Sequence, residues 1–172
     1  MIKEDLFNFH KRITTTEHYT NGSKYEGEKA NNMKDGKGIF YYADGGRYDG
    51  EWRADMMNGY GILYYPDRSI AYKGYWVLDK FHGYGIFNNN KPKKSKQPIN
   101  WRNFNNYRDL WVTYEGDFRE DNKEGYGLLY FNNGEKYIGE FKKDAIWGEG
   151  NFYAKNGMIV NGRWEDNLFL DE

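Results

Sequence analysis

Apolar and polar positions alternate along this chain in short runs, and the runs recur. In the stretch from Arg47 to Arg53, Tyr48, Gly50 and Trp52 lie two apart, with Asp49, Glu51 and Arg53 on the alternate positions. Side chains two apart on an extended backbone share one face, so the stretch predicts a strand with one aromatic and one solvated face. The same alternation returns as Tyr72/Gly74/Trp76, Tyr114/Gly116/Phe118 and Tyr137/Gly139/Phe141. A second kind of run follows each Gly-x-Gly: Ile39-Phe40-Tyr41, Ile62-Leu63-Tyr64, Ile86-Phe87 and Leu128-Leu129-Tyr130. Both read as half-buried antiparallel strands. The central glycine of the first strand leaves a gap in which a large ring from a neighbouring strand can lie.

Aligning the runs gives a repeat. Tyr-x-Gly, followed nine residues after its glycine by Gly-x-Gly, starts at Tyr25, Tyr48, Tyr72, Tyr114 and Tyr137, at intervals of 23, 24, 42 and 23 residues. A degenerate start at Val160 follows 23 residues later. Self-similarity at such a period is the signature of a repeat array. Asp44-Gly45-Gly46, Pro66-Asp67-Arg68-Ser69, Asn132-Asn133-Gly134-Glu135 and Asn156-Gly157 supply hairpin turns between repeats, and Asn21-Gly22 stands in the same register. The stretch from Thr14 to Thr20 therefore reads as the trailing strand of an incomplete repeat, and that from Val160 to Trp164 as the leading strand of another. About twelve strands in sequential order are expected, with atypical ends. Within each repeat, Asn32, Asp55, Asp79, Asp121 and Asp144 stand in the loop between the two strands. They read as turn residues that bond their own backbone and tolerate left-handed geometry.

Composition fits an array better than a closed core. Of 21 glycines, all but Gly22 fall at repeat positions, and aromatic residues make up 20% of a chain whose mean hydropathy is −1.05. Basic and acidic residues nearly balance, 25 against 26, which argues against a uniform nucleic-acid-binding face. No run approaches the roughly 18 apolar residues of a membrane span. The first residues, Met1 to Leu6, include Glu4 and Asp5 where a secretory leader would be basic and then apolar. Zero cysteines exclude disulfides and thiolate metal sites and fit a reducing compartment. The expectation is a cytoplasmic protein.

Tyr-x-Gly-x-Trp followed by Gly-x-Gly-x-Phe/Leu-Tyr at this period resembles the MORN family, the membrane occupation and recognition nexus repeats. The resemblance covers about residues 14–165. It implies a long single-layer antiparallel meander of β-hairpins with a groove lined by aromatic rings. On that frame, residues 14–172 divide into a half-repeat 14–24, repeats 25–47, 48–71, 72–113, 114–136 and 137–159, and a terminal half-repeat 160–172. Lys29 replaces the aromatic residue that closes the first strand elsewhere, and Val160 replaces the last tyrosine.

Two segments fall outside the repeat. In residues 1–13, Ile2, Leu6, Phe9 and Ile13 have helical spacing, which predicts a short amphipathic helix that either caps its own sheet or docks on a partner. The insertion 88–113 opens with a polar, proline-bounded loop carrying Lys91, Lys93, Lys94 and Lys96, either solvated or in contact with an anionic surface. Trp101, Phe104, Arg108 and Trp111 then predict a second short helix, which covers the sheet or meets a partner.

Catalytic chemistry is not visible. His10, His18 and His82 have no metal-ligand spacing, and Gly-x-Gly here is not followed by the helix or the Lys-Ser/Thr of a phosphate-binding loop. The reading is a non-catalytic scaffold without cofactor or metal. The resemblance points to protein partners in a eukaryotic cytoskeletal assembly, such as a ciliary axoneme, that dock a helix or peptide in the aromatic groove. Tyr48, Trp52, Leu63, Tyr72, Trp76, Phe87, Tyr114, Phe118, Leu129, Tyr137 and Phe141 are the expected groove residues. The alternatives are a membrane tether that binds phosphoinositides through the basic loop, and an adaptor of an enzyme complex.

Overall fold

The computed structural model describes residues 11–95, 97–107 and 109–171. Thirteen strands account for most of them: β1 Ile13–His18, β2 Lys24–Ala30, β3 Met33–Tyr41, β4 Arg47–Arg53, β5 Met56–Tyr64, β6 Ile70–Val77, β7 Lys80–Asn88, β8 Trp111–Arg119, β9 Asn122–Phe131, β10 Lys136–Lys142, β11 Ala145–Tyr153, β12 Ile159–Glu165 and β13 Leu168–Leu170. They form one open sheet in which each strand pairs with its neighbours in chain order. Every pairing is antiparallel. At about 4.8 Å per step, the sheet extends roughly 55–60 Å across its strands. The expected all-β meander is the observed fold, with one strand more than expected, because β13 adds three residues after β12.

Two turn chemistries alternate along the sheet. Within each repeat, the strands are joined by two residues that both have positive φ, such as Ala54 (φ 50) and Asp55 (φ 68), the geometry of a type I′ hairpin. The Asp or Asn at the second position does more than tolerate that geometry. From Asp55 onward, its side chain reaches back to the preceding repeat instead of its own turn. The Lys34 amide donates to Asp55 Oδ1 at 2.8 Å while the Asp55 amide donates to the Lys34 carbonyl at 3.0 Å. The same reciprocal pair joins Met57 to Asp79, Phe81 to Asp121, Lys123 to Asp144 and Ile146 to Asn167. These residues staple successive repeats together. Between repeats the turns bond internally, as in Gly46 N to Asp44 Oδ1 at 2.9 Å and Ser69 N to Asp67 Oδ1 at 2.9 Å.

Both expected helices require correction. Ile13 is the first residue of β1 and pairs with Lys29, so it does not close a helical stripe; backbone bonding to β2 fixes it as extended. Ile2, Leu6 and Phe9 lie outside the described residues. Among the described residues of the insertion, the helical structure is a single 3-10 turn, Phe104–Tyr107. Trp111 opens β8, and Arg108 lies outside the described residues. Anchoring of Trp101 and Phe104 on the sheet, described below, holds the segment in a shape that a continuous helix would not allow.

Candidate functional site

The aromatic face is built in tiers. In each repeat, the leading tyrosine lies flat across the paired glycines of its own hairpin. Gly50 pairs with Gly61, and a Cβ on Gly61 would meet Tyr48 Oη at 2.3 Å, so only glycine lets the ring approach the backbone this closely. The hydroxyl then donates to the carbonyl three residues on: Tyr25 to Glu28 at 2.7 Å, Tyr48 to Glu51 and Tyr72 to Tyr75 at 3.0 Å, Tyr114 to Asp117 at 2.9 Å. These carbonyls sit at the bulges between the two strands of each repeat. All five tyrosines are fully buried, and desolvation raises their phenol pKa, that of Tyr25 to about 12.

Trp52 meets Tyr25 and Tyr48 edge-on, at 5.6 and 5.1 Å between centroids. Trp76 bridges Tyr48 and Tyr72 at 5.2 Å each, Phe118 bridges Tyr72 and Tyr114, and Phe141 bridges Tyr114 and Tyr137. Edge-to-face is the arrangement favoured by ring quadrupoles, and here it runs unbroken through the array. Indole N–H groups are satisfied by backbone, Trp52 Nε1 donating to the Gly38 carbonyl at 3.0 Å.

Above this ladder, the two halves of the sheet differ. Across β9 to β13, the insertion lies on the aromatic face as a plug. Phe104 is buried, with its ring 5.8 Å from Tyr137 and Phe152 and stacked 6.0 Å from Phe131. Ile99 is buried beside it, and its amide donates to Glu135 Oε2 at 2.7 Å. Glu135, also buried, accepts from Asn133 Nδ2 at 2.7 Å and from the Lys155 amide at 3.3 Å. Trp164 Nε1 donates to the Trp101 carbonyl at 2.8 Å, and the Phe104 amide to the Asn167 carbonyl at 2.9 Å. Beside the plug, a cavity of about 410 Å³ remains between Phe104, Trp111, Leu129, Phe141 and Ile146, with the Lys123–Asp144 ion pair (3.0 Å) at its rim. Across β2 to β6, no described segment covers the ladder, and at β7 the Trp111 ring lies 5.2 Å from Phe87. Phe40, Leu63 and Phe87, with Tyr42, Met57 and Phe81, stay half-exposed there.

The MORN repeat model matches residues 25–47, 48–70, 72–90, 114–136 and 137–159, well over half of the chain. The chain belongs to the MORN-repeat family. None of the curated proteins compared with it matches. MORN repeats are non-catalytic units that serve protein interaction or membrane-associated scaffolding. Among the described residues of this MORN array, no group of three or more His, Cys, Asp or Glu is placed to hold a metal ion.

The residues expected to line the groove are placed unequally. Tyr48, Tyr72, Tyr114 and Tyr137, together with Trp52, Trp76, Phe118 and Phe141, form the buried floor. Leu129 is buried in the covered half, while Leu63 and Phe87 reach the surface in the open half. Of the basic loop, Lys93 pairs with Asp109 through its ammonium, and its amide donates to the Asp109 carbonyl at 2.8 Å. Lys91 and Lys94 are exposed, and Lys96 lies outside the described residues. Ile99 was not anticipated, and Glu135, expected only to close a hairpin turn, also anchors the plug. Glu135 stands where the other repeats carry Gly46, Ser69 and Met158, a departure that an internal alignment exposes.

Proposed function

We propose that this MORN-repeat chain is a non-catalytic interaction subunit that docks a helix or extended peptide of a partner protein on the open half of its aromatic face. One observation carries the reading: Phe40, Leu63 and Phe87 form a half-exposed apolar row over β3, β5 and β7, while the matching residues Leu129 and Phe152 are buried beneath the chain's own plug. Contiguous exposed apolar surface favours association, and rigid rings offer contact area at little entropic cost. The plug itself supports the reading, because it is a short apolar segment seated on the same ladder.

The finer part of the proposal is a cytoskeletal setting, with a ciliary axoneme as the first place to look, resting on the resemblance to free-standing members of the family. Lys93 is engaged by Asp109, which leaves fewer free cations for the membrane-tether alternative. Leu63→Asp with Phe87→Asp tests the docking row. Captured from axonemal extract at a temperature where circular dichroism shows both chains folded, the wild-type chain should retain a stoichiometric partner that the variant loses. An unchanged partner set on the variant overturns the open-half site. Partition of the wild-type chain with the detergent-soluble membrane fraction overturns the cytoskeletal setting.

A further inference from the structure

The face opposite the aromatic ladder was expected to be merely solvated. It carries instead a row of exposed tyrosines that the repeat does not need. Tyr60, Tyr84 and Tyr126 occupy the middle of Gly-x-Gly in three consecutive repeats, and Tyr75 pairs across the strand with Tyr60. Their exposures are 37%, 53%, 57% and 54% in that order, and the Tyr60 and Tyr75 rings meet edge-on at 5.6 Å. Register places carboxylates in the same two rows of this face. Tyr84 is opposite Asp117, Tyr126 is opposite Glu140, and Ile62 and Ile86 border Asp49 and Glu115. Between β4 and β10, five carboxylates (Asp49, Glu51, Glu115, Asp117 and Glu140) share these rows with one ammonium, Lys73, and Lys37 of β3 stands opposite Glu51 at the edge. Among the described residues none of the five forms an ion pair.

A neighbouring row on the same face shows what such tyrosines accept. There the chain supplies its own cations: Lys24 lies over Tyr41 at 4.3 Å, Arg47 over Tyr64 at 4.2 Å and Lys136 over Tyr153 at 4.9 Å. Among the described residues, no cation lies over Tyr60, Tyr75, Tyr84 or Tyr126. One row carries cations on three of its tyrosines, and the next presents rings without a cation. Beside those rings, the carboxylates accept, among the described residues, only from neutral donors: Glu115 from the Tyr84 hydroxyl, Glu51 from the Tyr60 amide and Glu140 from the Glu149 amide.

We propose that this tyrosine–carboxylate stripe is a second docking surface, for an extended arginine-rich segment of a partner protein. Lysine can serve both groups singly, as Lys24 does over Tyr41 while paired to Glu26, but arginine fits better, because its planar guanidinium stacks flat on a ring while giving a carboxylate two parallel bonds. From β5 to β9 the stripe crosses four inter-strand steps, about 19 Å, which an extended segment covers with roughly six residues at about 3.3 Å each. The surface lies on the opposite side of the sheet from the aromatic groove and does not depend on that site.

A fluorescein-labelled nona-arginine peptide, followed by anisotropy, tests it. The wild-type chain should bind this peptide at least threefold more tightly than nona-lysine. Tyr75→Ala with Tyr84→Ala should weaken nona-arginine at least tenfold, while Tyr75→Phe with Tyr84→Phe, which keeps both ring faces, retains binding. Asp117→Lys should weaken it, whereas Asp166→Lys, off the stripe, should not. The proposal is overturned if the alanine pair binds as wild type, if both charge reversals act equally, or if Leu63→Asp on the opposite face is what abolishes binding.

Discussion

The two halves of this sheet are built from one repeat and share one aromatic ladder, yet only one is covered. Over β9 to β13, Ile99, Trp101 and Phe104 press onto the rings, and Leu129, Phe131 and Phe152 are buried. Over β2 to β7, the equivalent positions stay half-exposed. The ladder of tyrosine and tryptophan is equally buried in both. The repeat therefore completes its own floor without help, and whatever lies above the floor is a separate matter of occupancy. The insertion is one occupant, covalently supplied.

Alkaline pH should act on both halves alike and most strongly. Burial raises the phenol pKa of the five leading tyrosines, that of Tyr25 from 10.0 to about 12. A raised folded-state value means that the neutral ring is favoured by folding. That stability is fully present below about pH 10 and is lost as pH climbs through the folded-state values. Each such tyrosine costs up to about 1.4 kcal/mol per pH unit in that window. Chemical denaturation at pH 8, 10 and 11 should show a plateau and then a steep fall, and a fall beginning near neutrality would contradict it.

Phe104→Ala separates the halves. Loss of the buried ring should cost about 3–5 kcal/mol. Hydrogen exchange should show amides of β9 to β13 losing protection while those of β3 to β6 keep theirs; uniform loss would mean that the sheet unfolds as one unit. The staples should be comparable on both sides of the divide. Asp79→Ala and Asp144→Ala each remove a carboxylate that accepts from a backbone amide, for about 1–2 kcal/mol apiece in thermal melts, with Asp144→Ala the larger because it also breaks the Lys123 ion pair. Smallest is Lys93→Ala, which removes an exposed ion pair and should change stability by less than about 0.5 kcal/mol.

What could be read from the sequence follows from what repeats. Tyr48, Gly50 and Gly61 act within one unit, so five copies made the ring-over-glycine arrangement visible as a pattern. The floor residues could not be told from the surface residues, because burial of Trp52 depends on Tyr25 and Tyr48 closing on it from two repeats. The plug occurs once. Its spacing of Trp101, Phe104 and Trp111 satisfied a helical template, yet Trp111 is committed to β8 and Trp101 to Trp164 and Phe169. Nothing local records a partner 63 residues away. The stripe of Tyr60, Tyr84 and Tyr126 was in plain view at the centre of Gly-x-Gly but was absorbed into the motif that frames it.

The plug also sets an order of events during synthesis. Ile99 to Phe104 leave the ribosome before most of the strands they cover, and Trp101 waits 63 residues for Trp164. At about 5–20 residues per second, that is roughly 3–13 s in which the segment is complete and its socket is not. Repeats one to three need only their neighbours and can close as they emerge. The bare rings of β3 to β7 are therefore the first aromatic surface available to the waiting plug; its own socket begins to form with Phe131 of β9 and closes when β12 brings Trp164.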